Sequence, residues 1–140
     1  IILAGRKIND NMGSYYSLEL INKMKQKNIK IKGAKILIMG LTFKENCKDI
    51  RNSGVQNIIP ELKKYKCNFD LYDPWVSKKE IKKLYKLYPP SRLNLNTYDA
   101  ILITVGHKIF KEMGIKFIKS LCKKDHIILD LKYLFKKSNG

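Results

Sequence analysis

Apolar and polar residues alternate in blocks along the chain, and after residue 33 these blocks predict short buried strands separated by amphipathic helices. The strand-like blocks are compact apolar runs that stop abruptly, as parallel strands do: "KILIMG", "CNFDLYDP", "YDAILITVG" and "HIILDL". The helix-like blocks place apolar residues three or four apart: Val55 to Leu62, "SKKEIKKLYKLY" and "GIKFIKSLC". In the second helical block, Ser77 and Glu80 predict a capping box. Because strands and helices alternate, we expect an α/β fold with a doubly wound parallel sheet and right-handed crossovers.

Residues 2–28 predict one long helix that precedes the sheet. Its apolar positions step by three or four and so share a face: Ile1, Ala4, Ile8, Met12, Tyr15 and Leu18. Gly5 and Gly13 each weaken a helix by roughly 1 kcal/mol relative to alanine. We therefore expect this helix to be packed along its length or kinked at the glycines, and to end in a turn at Gly33.

Polar and aromatic residues follow each predicted strand at the point where it stops. Ligands of doubly wound sheets bind beyond the carboxyl ends of the strands, so these segments share the edge at which a site is expected. The segments are "LTFKENCKDIRNS", "YDPW", "VGHKIF" and "DLKYLF". This placement is the main functional signal of the pattern.

The first of these segments has the chemistry of a diphosphate site. Gly40 is the one glycine near the turn, so the loop is neither a G-x-G-x-x-G fingerprint nor a Walker loop. Lys44 offers a point charge, Arg51 a bidentate donor, and a helix N-terminus follows. The alternative is that Asp49 and Arg51 pair locally while Lys44 is solvated, and the pattern leaves both open.

Three further residues at this edge are candidates. Asp73 ends the second strand, where it would bind a ribose or form a turn with Pro74. His107 follows the third strand; a structural role is favoured over a general base, since no Ser or Cys is placed beside it. Lys132 follows the last strand and would add a second cation.

Composition raises a rival function. The net charge of +17 suggests a basic module that binds nucleic acid. However, nearly all the basic residues are lysines, and many lie on predicted solvated helix faces. A lysine-coated surface is the favoured interpretation.

The three cysteines and two histidines lack metal-ligand spacing, so we expect no metal site and a reduced, cytoplasmic protein. No apolar run approaches the ~20 residues of a membrane span. Because the chain begins at Ile1 without an initiator Met or a signal peptide, we expect a fragment of a longer protein. A Cys47–His107 hydrolase is a third possibility, but it lacks an orienting acid and a nucleophile turn.

Several motifs together resemble the UDP-sugar dehydrogenases, including the UDP-glucose and GDP-mannose enzymes. They occur in the family's order and spacing along nearly the whole chain: "GRKINDNM", "GLTFKENCKDIRNS", "YDPW", "YDAILITVGHKIF" and "ILDLKY". The resemblance is nearest to the UDP-N-acetylglucosamine or galactosamine 6-dehydrogenase branch of bacterial polysaccharide synthesis. It implies an NAD-binding domain, a long helix that forms a homodimer, and a Rossmann-like domain that holds the UDP-sugar. By this resemblance, residues 1–30 end the long helix and residues 31–140 form the UDP-sugar domain.

The resemblance also assigns site residues. It places Phe43 and Lys44 on the bound sugar nucleotide, Lys132 near the UDP-sugar, and Arg51 on the NAD that faces it. The family oxidises the sugar C6 alcohol to a carboxylate with two NAD, through a thiohemiacetal on the cysteine of a G-G-x-C-x-P segment. This chain contains no such segment, so it holds no catalytic residue, the fragment alone is expected to be inactive, and Cys47 is not expected to be the nucleophile.

Two residues depart from the family pattern. Pro60 lies inside the helix that follows the first loop, where it removes a hydrogen bond. Tyr133 stands where a glycine or small residue is expected. Both departures indicate a copy that has diverged from the family pattern.

Overall fold

The structure, a computed structural model, describes residues 15–42, 44, 46–48, 55–87, 89–90, 92–132 and 135. Its strands are β1 (Lys35–Met39), β2 (Asn68–Tyr72), β3 (Tyr98–Ile103) and β4 (Cys122–Asp130). Its helices are α1 (helical over residues 15–26), α2 (Val55–Lys63), α3 (Lys78–Tyr85), α4 (Lys108–Met113) and α5 (Ile115–Ser120).

The four strands form one parallel sheet in the order β2-β1-β3-β4. Since all pairs are parallel, the carboxyl ends of the strands lie at one edge. The predicted parallel α/β sheet is confirmed, and so is the shared edge of the segments that follow the strands.

The sheet is buried on both faces, which explains its apolar strands. Alternate residues of β1 enter different cores: Ile36 and Ile38 pack with residues of α1, α2 and α3. Leu37 and Met39 pack on the other face with residues of α4 and α5. The sheet is therefore doubly wound, as predicted.

Helix α1 packs on the first of these faces, but by a different stripe from the one predicted. Leu20, Ile21 and Met24 are fully buried. Tyr15 is 61% exposed and Leu18 52% exposed, so the two described residues of the predicted stripe point away from the core of this domain. The predicted residues 1–14, with Gly5 and Gly13, lie outside the described residues, and residues 27–28 form a turn rather than helix.

Local signals in two helices are confirmed. Ser77 caps α3, because its hydroxyl accepts a hydrogen bond from the Glu80 N–H at 3.1 Å, as in a capping box. Helix α2 contains Pro60 at an exposed position, and its buried face follows the predicted spacing. By residue type, Asn52 or Ser53 would be the N-cap of α2, and both lie outside the described residues.

Two boundaries were predicted wrongly. "VGHKIF" was expected to be a loop beyond the third strand, but α4 begins within it at Lys108. The last strand begins at Cys122, which was placed in a helix, and not at His126. Its polar first half, "CKKDH", lies in the strand because β4 pairs with β3 from Tyr98 onward across an irregularity in register. Among the described residues, no helix is long and apolar enough to cross a membrane.

Candidate functional site

The crevice expected to bind a ligand lies between β1 and β3. These strands are neighbours, yet the helices that follow them pack on opposite faces of the sheet. Such a switch point leaves a gap at the carboxyl edge where the two connections part. The described residues that follow β1 here, 41, 42, 44 and 46–48, are called the β1 loop below.

The turn at Gly40 brings the β1 loop against the segment that follows β3. Gly40 has a φ of +105°, and a Cβ at this position would lie 2.8 Å from the backbone nitrogen of Val105. The Thr104 N–H donates to the carbonyl of Met39 at 3.0 Å, and the Thr104 hydroxyl donates to the carbonyl of Gly40 at 2.5 Å. A side chain on residue 40 would therefore push the two segments apart.

A buried histidine and aspartate join the loops after β1, β2 and β3. His107 is 0% exposed and Asp73 4% exposed. His107 Nε2 lies 3.0 Å from Asp73 Oδ2, which also accepts the Leu41 N–H at 2.7 Å. Asp73 Oδ1 accepts the Trp75 N–H at 2.9 Å. Both carboxylate oxygens thus bind within the protein, as the turn interpretation of Asp73 expects.

The opposite nitrogen of His107 is also bonded. His107 Nδ1 accepts the backbone N–H of Asn46 at 2.8 Å, and the Asn46 side-chain oxygen accepts the Lys108 N–H at 3.0 Å. Asn46 has a φ of +54°, a left-handed conformation that asparagine adopts readily. With both nitrogens engaged, His107 has no nitrogen left to serve as a base, so the structural interpretation of His107 is supported and the Cys47–His107 hydrolase is not.

An open cavity of about 480 Å³ lies beside the β1 loop at the same edge. Its lining comes from the loops after β1 and β2 and from α4: Asn46, Pro74, Trp75, Lys108, Ile109 and Glu112. The centroid of the Trp75 ring lies 6.0 Å from that of the His107 ring, so the buried histidine lies near the side of the cavity that Trp75 lines. Lys44 and Lys132 are not in the lining, so the cavity adjoins the predicted diphosphate position and does not coincide with it.

The described candidate cations lie where the sequence predicted them. Lys44 follows the central strand β1 and is exposed. Lys132 is exposed in the turn after β4, where its N–H donates to Asp130 Oδ1 at 3.2 Å. Strand β3 lies between β1 and β4, the strands that precede these two lysines. Phe43, Arg51, Asp49 and Tyr133 lie outside the described residues, so their roles and the Asp49–Arg51 pairing remain predictions.

The β1 loop does not fit the diphosphate of NAD in the manner of a glycine-rich dinucleotide loop. Such a loop needs glycines that let the ligand approach bare backbone. The space against Gly40 is already taken by Val105, and residues 41, 42, 44 and 46–48 contain no further glycine.

The cysteines of this chain are not arranged for shared chemistry. Within the described residues, Cys47, Cys67 and Cys122 form no disulfide, and no group of three His, Cys, Asp or Glu side chains could hold a metal ion. Burial raises the pKa of the Cys122 thiol to about 12, and the Asp99 carboxylate contributes. The same two causes raise the pKa of Cys67. These buried thiols are suited to packing rather than to nucleophilic attack.

Sequence reasoning missed the parts that Thr42 and Asn46 play in this site. Both lie in a loop where charged residues drew attention, and their partner His107 is more than sixty residues away in the chain. One local signal was present, since asparagine is among the non-glycine residue types that are enriched at positive φ, and Asn46 stands in a polar loop. Nothing local pointed to its partner.

Comparison with known proteins places the whole chain in one group. Residues 37–137 match the family described as UDP-glucose/GDP-mannose dehydrogenase family, UDP binding domain. The UDP-N-acetyl-D-glucosamine 6-dehydrogenase of Salmonella typhi is 48% identical over 96% of this chain and 32% of its own length. The enzyme of the same name from Pseudomonas aeruginosa is 45% identical, with the same coverage. The chain thus spans about a third of the length of these relatives.

Solved structures agree. The UDP-D-ManNAc dehydrogenase of Pyrococcus horikoshii has a TM-score of 0.74 and 26% identity, covering 94% of this chain and 29% of that one. These three relatives are nucleotide-sugar dehydrogenases, and the nucleic-acid alternative finds no support among them. The chain therefore belongs to the UDP-glucose/GDP-mannose dehydrogenase family, as its motifs predicted, and it matches the UDP binding domain of that family.

Proposed function

We propose that this chain is the UDP-sugar-binding part of an NAD-dependent nucleotide-sugar 6-dehydrogenase. The parent protein would oxidise the C6 alcohol of a UDP-N-acetylhexosamine to a uronate for surface polysaccharide synthesis. UDP-N-acetylglucosamine is the first candidate substrate. The observation that carries this proposal is the 48% identity to the Salmonella typhi enzyme along 96% of the chain. Lys44 supports it, because this cation follows β1 at the switch point where doubly wound sheets bind their ligands.

The proposal divides the work between this chain and the rest of the parent protein. Residues 1–30 would end the long helix of a homodimer, and residues 31–140 would form the domain that holds the substrate. NAD would be held mainly by the N-terminal domain, with Arg51 reaching it from this chain. The nucleophilic cysteine would also lie outside this chain, and Cys47 would support the β1 loop. A cytoplasmic location follows from the same proposal.

Lys44 is proposed to bind the diphosphate of the sugar nucleotide, with Phe43 beside it. Its ammonium is exposed, while the Lys44 carbonyl is held by the Thr42 hydroxyl at 2.8 Å. This combination presents a cation to solvent from a backbone that is fixed locally. Lys132 would add a second positive charge from the turn after β4.

Calorimetry of UDP-N-acetylglucosamine with the full-length parent protein tests this assignment. Lys44→Ala should weaken binding about tenfold to a hundredfold, because a charge-assisted hydrogen bond is worth about 1.5–3 kcal/mol. Lys48→Ala is the matched control: it removes an exposed lysine from the same loop and should change binding less than threefold. Equal losses in the two variants would reject the role of Lys44.

An assay of NADH production tests the function as a whole. The full-length parent should reduce NAD with UDP-N-acetylglucosamine or another UDP-N-acetylhexosamine, whereas this chain alone should fold cooperatively and produce no NADH. No UDP-sugar oxidation by the folded parent would refute the function. NADH from the purified chain would show that the nucleophile had been placed in the wrong part of the protein.

A further inference from the structure

We propose that His107 is a positioning residue whose neutral ring holds the β1 loop in the conformation that presents Lys44. Protonation of the ring would release the loop and weaken the binding of the UDP-sugar. The inference about binding rests on the proposed function, whereas the inference about the loop stands on contacts within this chain.

The contacts of His107 specify which nitrogen carries the proton. The Asn46 backbone N–H can only donate, so Nδ1 at 2.8 Å must be the acceptor. The hydrogen of the neutral ring is therefore on Nε2, where it points at acceptors. These are Asp73 Oδ2 at 3.0 Å and Thr42 Oγ1 at 3.3 Å.

The same contacts reach Lys44 from two directions. The Thr42 hydroxyl accepts from His107 Nε2 and donates its own hydrogen to the Lys44 carbonyl at 2.8 Å. Two residues beyond Lys44, the Asn46 N–H donates to His107 Nδ1. The backbone on both sides of the binding lysine is thus anchored to a single imidazole.

Burial shows that His107 acts through other residues and not on the ligand. Its side chain is 0% exposed, so it touches no ligand. The Phe110 ring packs against it edge-on at 5.1 Å and the Trp75 ring at 6.0 Å, which limits its freedom to rotate. A fixed, buried ring can hold a loop in place but cannot exchange protons with a substrate.

Protonation would change one of these contacts from attraction to repulsion. His⁺ donates from both nitrogens, so Nδ1–H would face the Asn46 N–H and that bond would be lost. The bond to the Asp73 carboxylate would survive. Asp73 is the one charged side chain in contact with the ring among the described residues; Lys44 offers only its carbonyl, and Lys108 is exposed on α4. The expected effect of acid is thus release of the β1 loop while the ring stays in place.

Two substitutions in the full-length parent separate the two nitrogens. In His107→Asn the side-chain oxygen takes the place of Nδ1, which keeps the acceptor for Asn46 and loses the donor to Asp73. In His107→Gln the side-chain nitrogen takes the place of Nε2, which keeps the donor to Asp73 and loses the acceptor for Asn46. Neither the asparagine nor the glutamine side chain takes up a proton between about pH 8 and about pH 5.5.

Affinity for UDP-N-acetylglucosamine is measured from about pH 8 down to about pH 5.5, the range in which histidine changes charge. The wild type should lose about tenfold in affinity across this range. His107→Gln should bind about tenfold more weakly at pH 8, His107→Asn about threefold more weakly, and neither should show the wild-type loss with pH. In the enzyme assay, His107→Gln should raise KM more than it lowers kcat.

Hydrogen exchange of the Asn46 amide provides a readout that needs no ligand. This amide should be protected in the wild type at pH 8. His107→Gln should lower its protection factor at least tenfold in a protein that still melts cooperatively. His107→Asn should retain most of it.

Each outcome decides a different claim. If the wild type binds no UDP-sugar but Asn46 behaves as expected, the proposed function fails while the loop anchor stands. If folded His107→Gln keeps both the protection and the affinity of the wild type, or if His107→Asn keeps the wild-type pH dependence, the role of His107 is overturned.

Discussion

Gly40 shows how a single residue brings two loops of the site together. Its φ of +105° is open to glycine and strained for other residues, and Val105 fills the space where a Cβ would stand. Gly33 has a similar φ of +81°, but no atom lies within 4 Å of the Cβ position. The two glycines therefore differ in crowding while sharing the conformational requirement.

We predict that Gly40→Ala lowers the free energy of unfolding by about 3 kcal/mol and that Gly33→Ala lowers it by about 1 kcal/mol. Both variants are strained by a positive φ, but only Gly40→Ala also forces the Val105 backbone away. Urea denaturation of the two variants and the wild type measures the difference. Equal losses would show that Val105 yields without cost and that the close approach does not limit the site.

Helix α2 contains an element-scale conflict between propensity and packing. Pro60 is exposed in the middle of the helix and cannot donate to the carbonyl of Gln56, one turn earlier. The helix nevertheless continues, because Val55, Ile58, Ile59 and Leu62 are buried in the core. Tertiary burial thus outweighs a local penalty.

We predict that Pro60→Ala raises the free energy of unfolding by about 1–3 kcal/mol, because it restores one hydrogen bond and removes the clash of the proline ring with the preceding turn. Asn57→Ala is the matched control, since Asn57 is exposed in the same helix; its gain should not exceed about 0.7 kcal/mol. Thermal or urea denaturation measures both. If Pro60→Ala gains no more than the control, the proline does not destabilise the helix.

At the scale of the whole molecule, two buried groups at the amino edge of the sheet make the free energy of unfolding depend on pH in the alkaline range. Burial and a hydrogen bond of 2.5 Å to Asp70 raise the pKa of the Tyr98 hydroxyl. Burial raises the pKa of Cys122, its partner in β4, from 9.0 to about 12. Both groups keep their protons longer in the folded chain than in the unfolded chain.

The direction in which the free energy of unfolding changes with pH follows from the difference in bound protons between the folded and unfolded chains. Below about pH 9 both states hold these protons and the stabilisation is complete. As the pH rises from about 9 towards 12, the unfolded chain holds fewer protons, so the free energy of unfolding falls. We predict that Tyr98→Phe and Cys122→Ala each reduce the slope of this fall.

Unfolding measured in denaturant between about pH 8 and about pH 10.5 checks the prediction. The many lysines also lose charge in this range, but they do so equally in the wild type and in the variants. The difference between the slopes therefore isolates the two buried groups. Identical slopes would show that these groups do not hold their protons longer in the folded state.

The sequence by itself determined the alternation of strands and helices, the shared edge of the segments that follow the strands, the cap of α3 and the family. These features depend on short-range patterns: an apolar run, a residue pair three positions apart, or a motif of a dozen residues. The positions of Lys44 and Lys132 after their strands followed for the same reason.

Only the tertiary structure decided how the site is held together. His107 contacts Asp73, Asn46 and Thr42 from 34 to 65 residues away, and these partners meet because the strand order brings β1 between β2 and β3. It also decided which face of α1 is buried, since both faces carry apolar residues and only packing on the sheet distinguishes them. A sequence pattern reports what a segment prefers locally, whereas a buried polar network depends on which distant segments the fold makes neighbours.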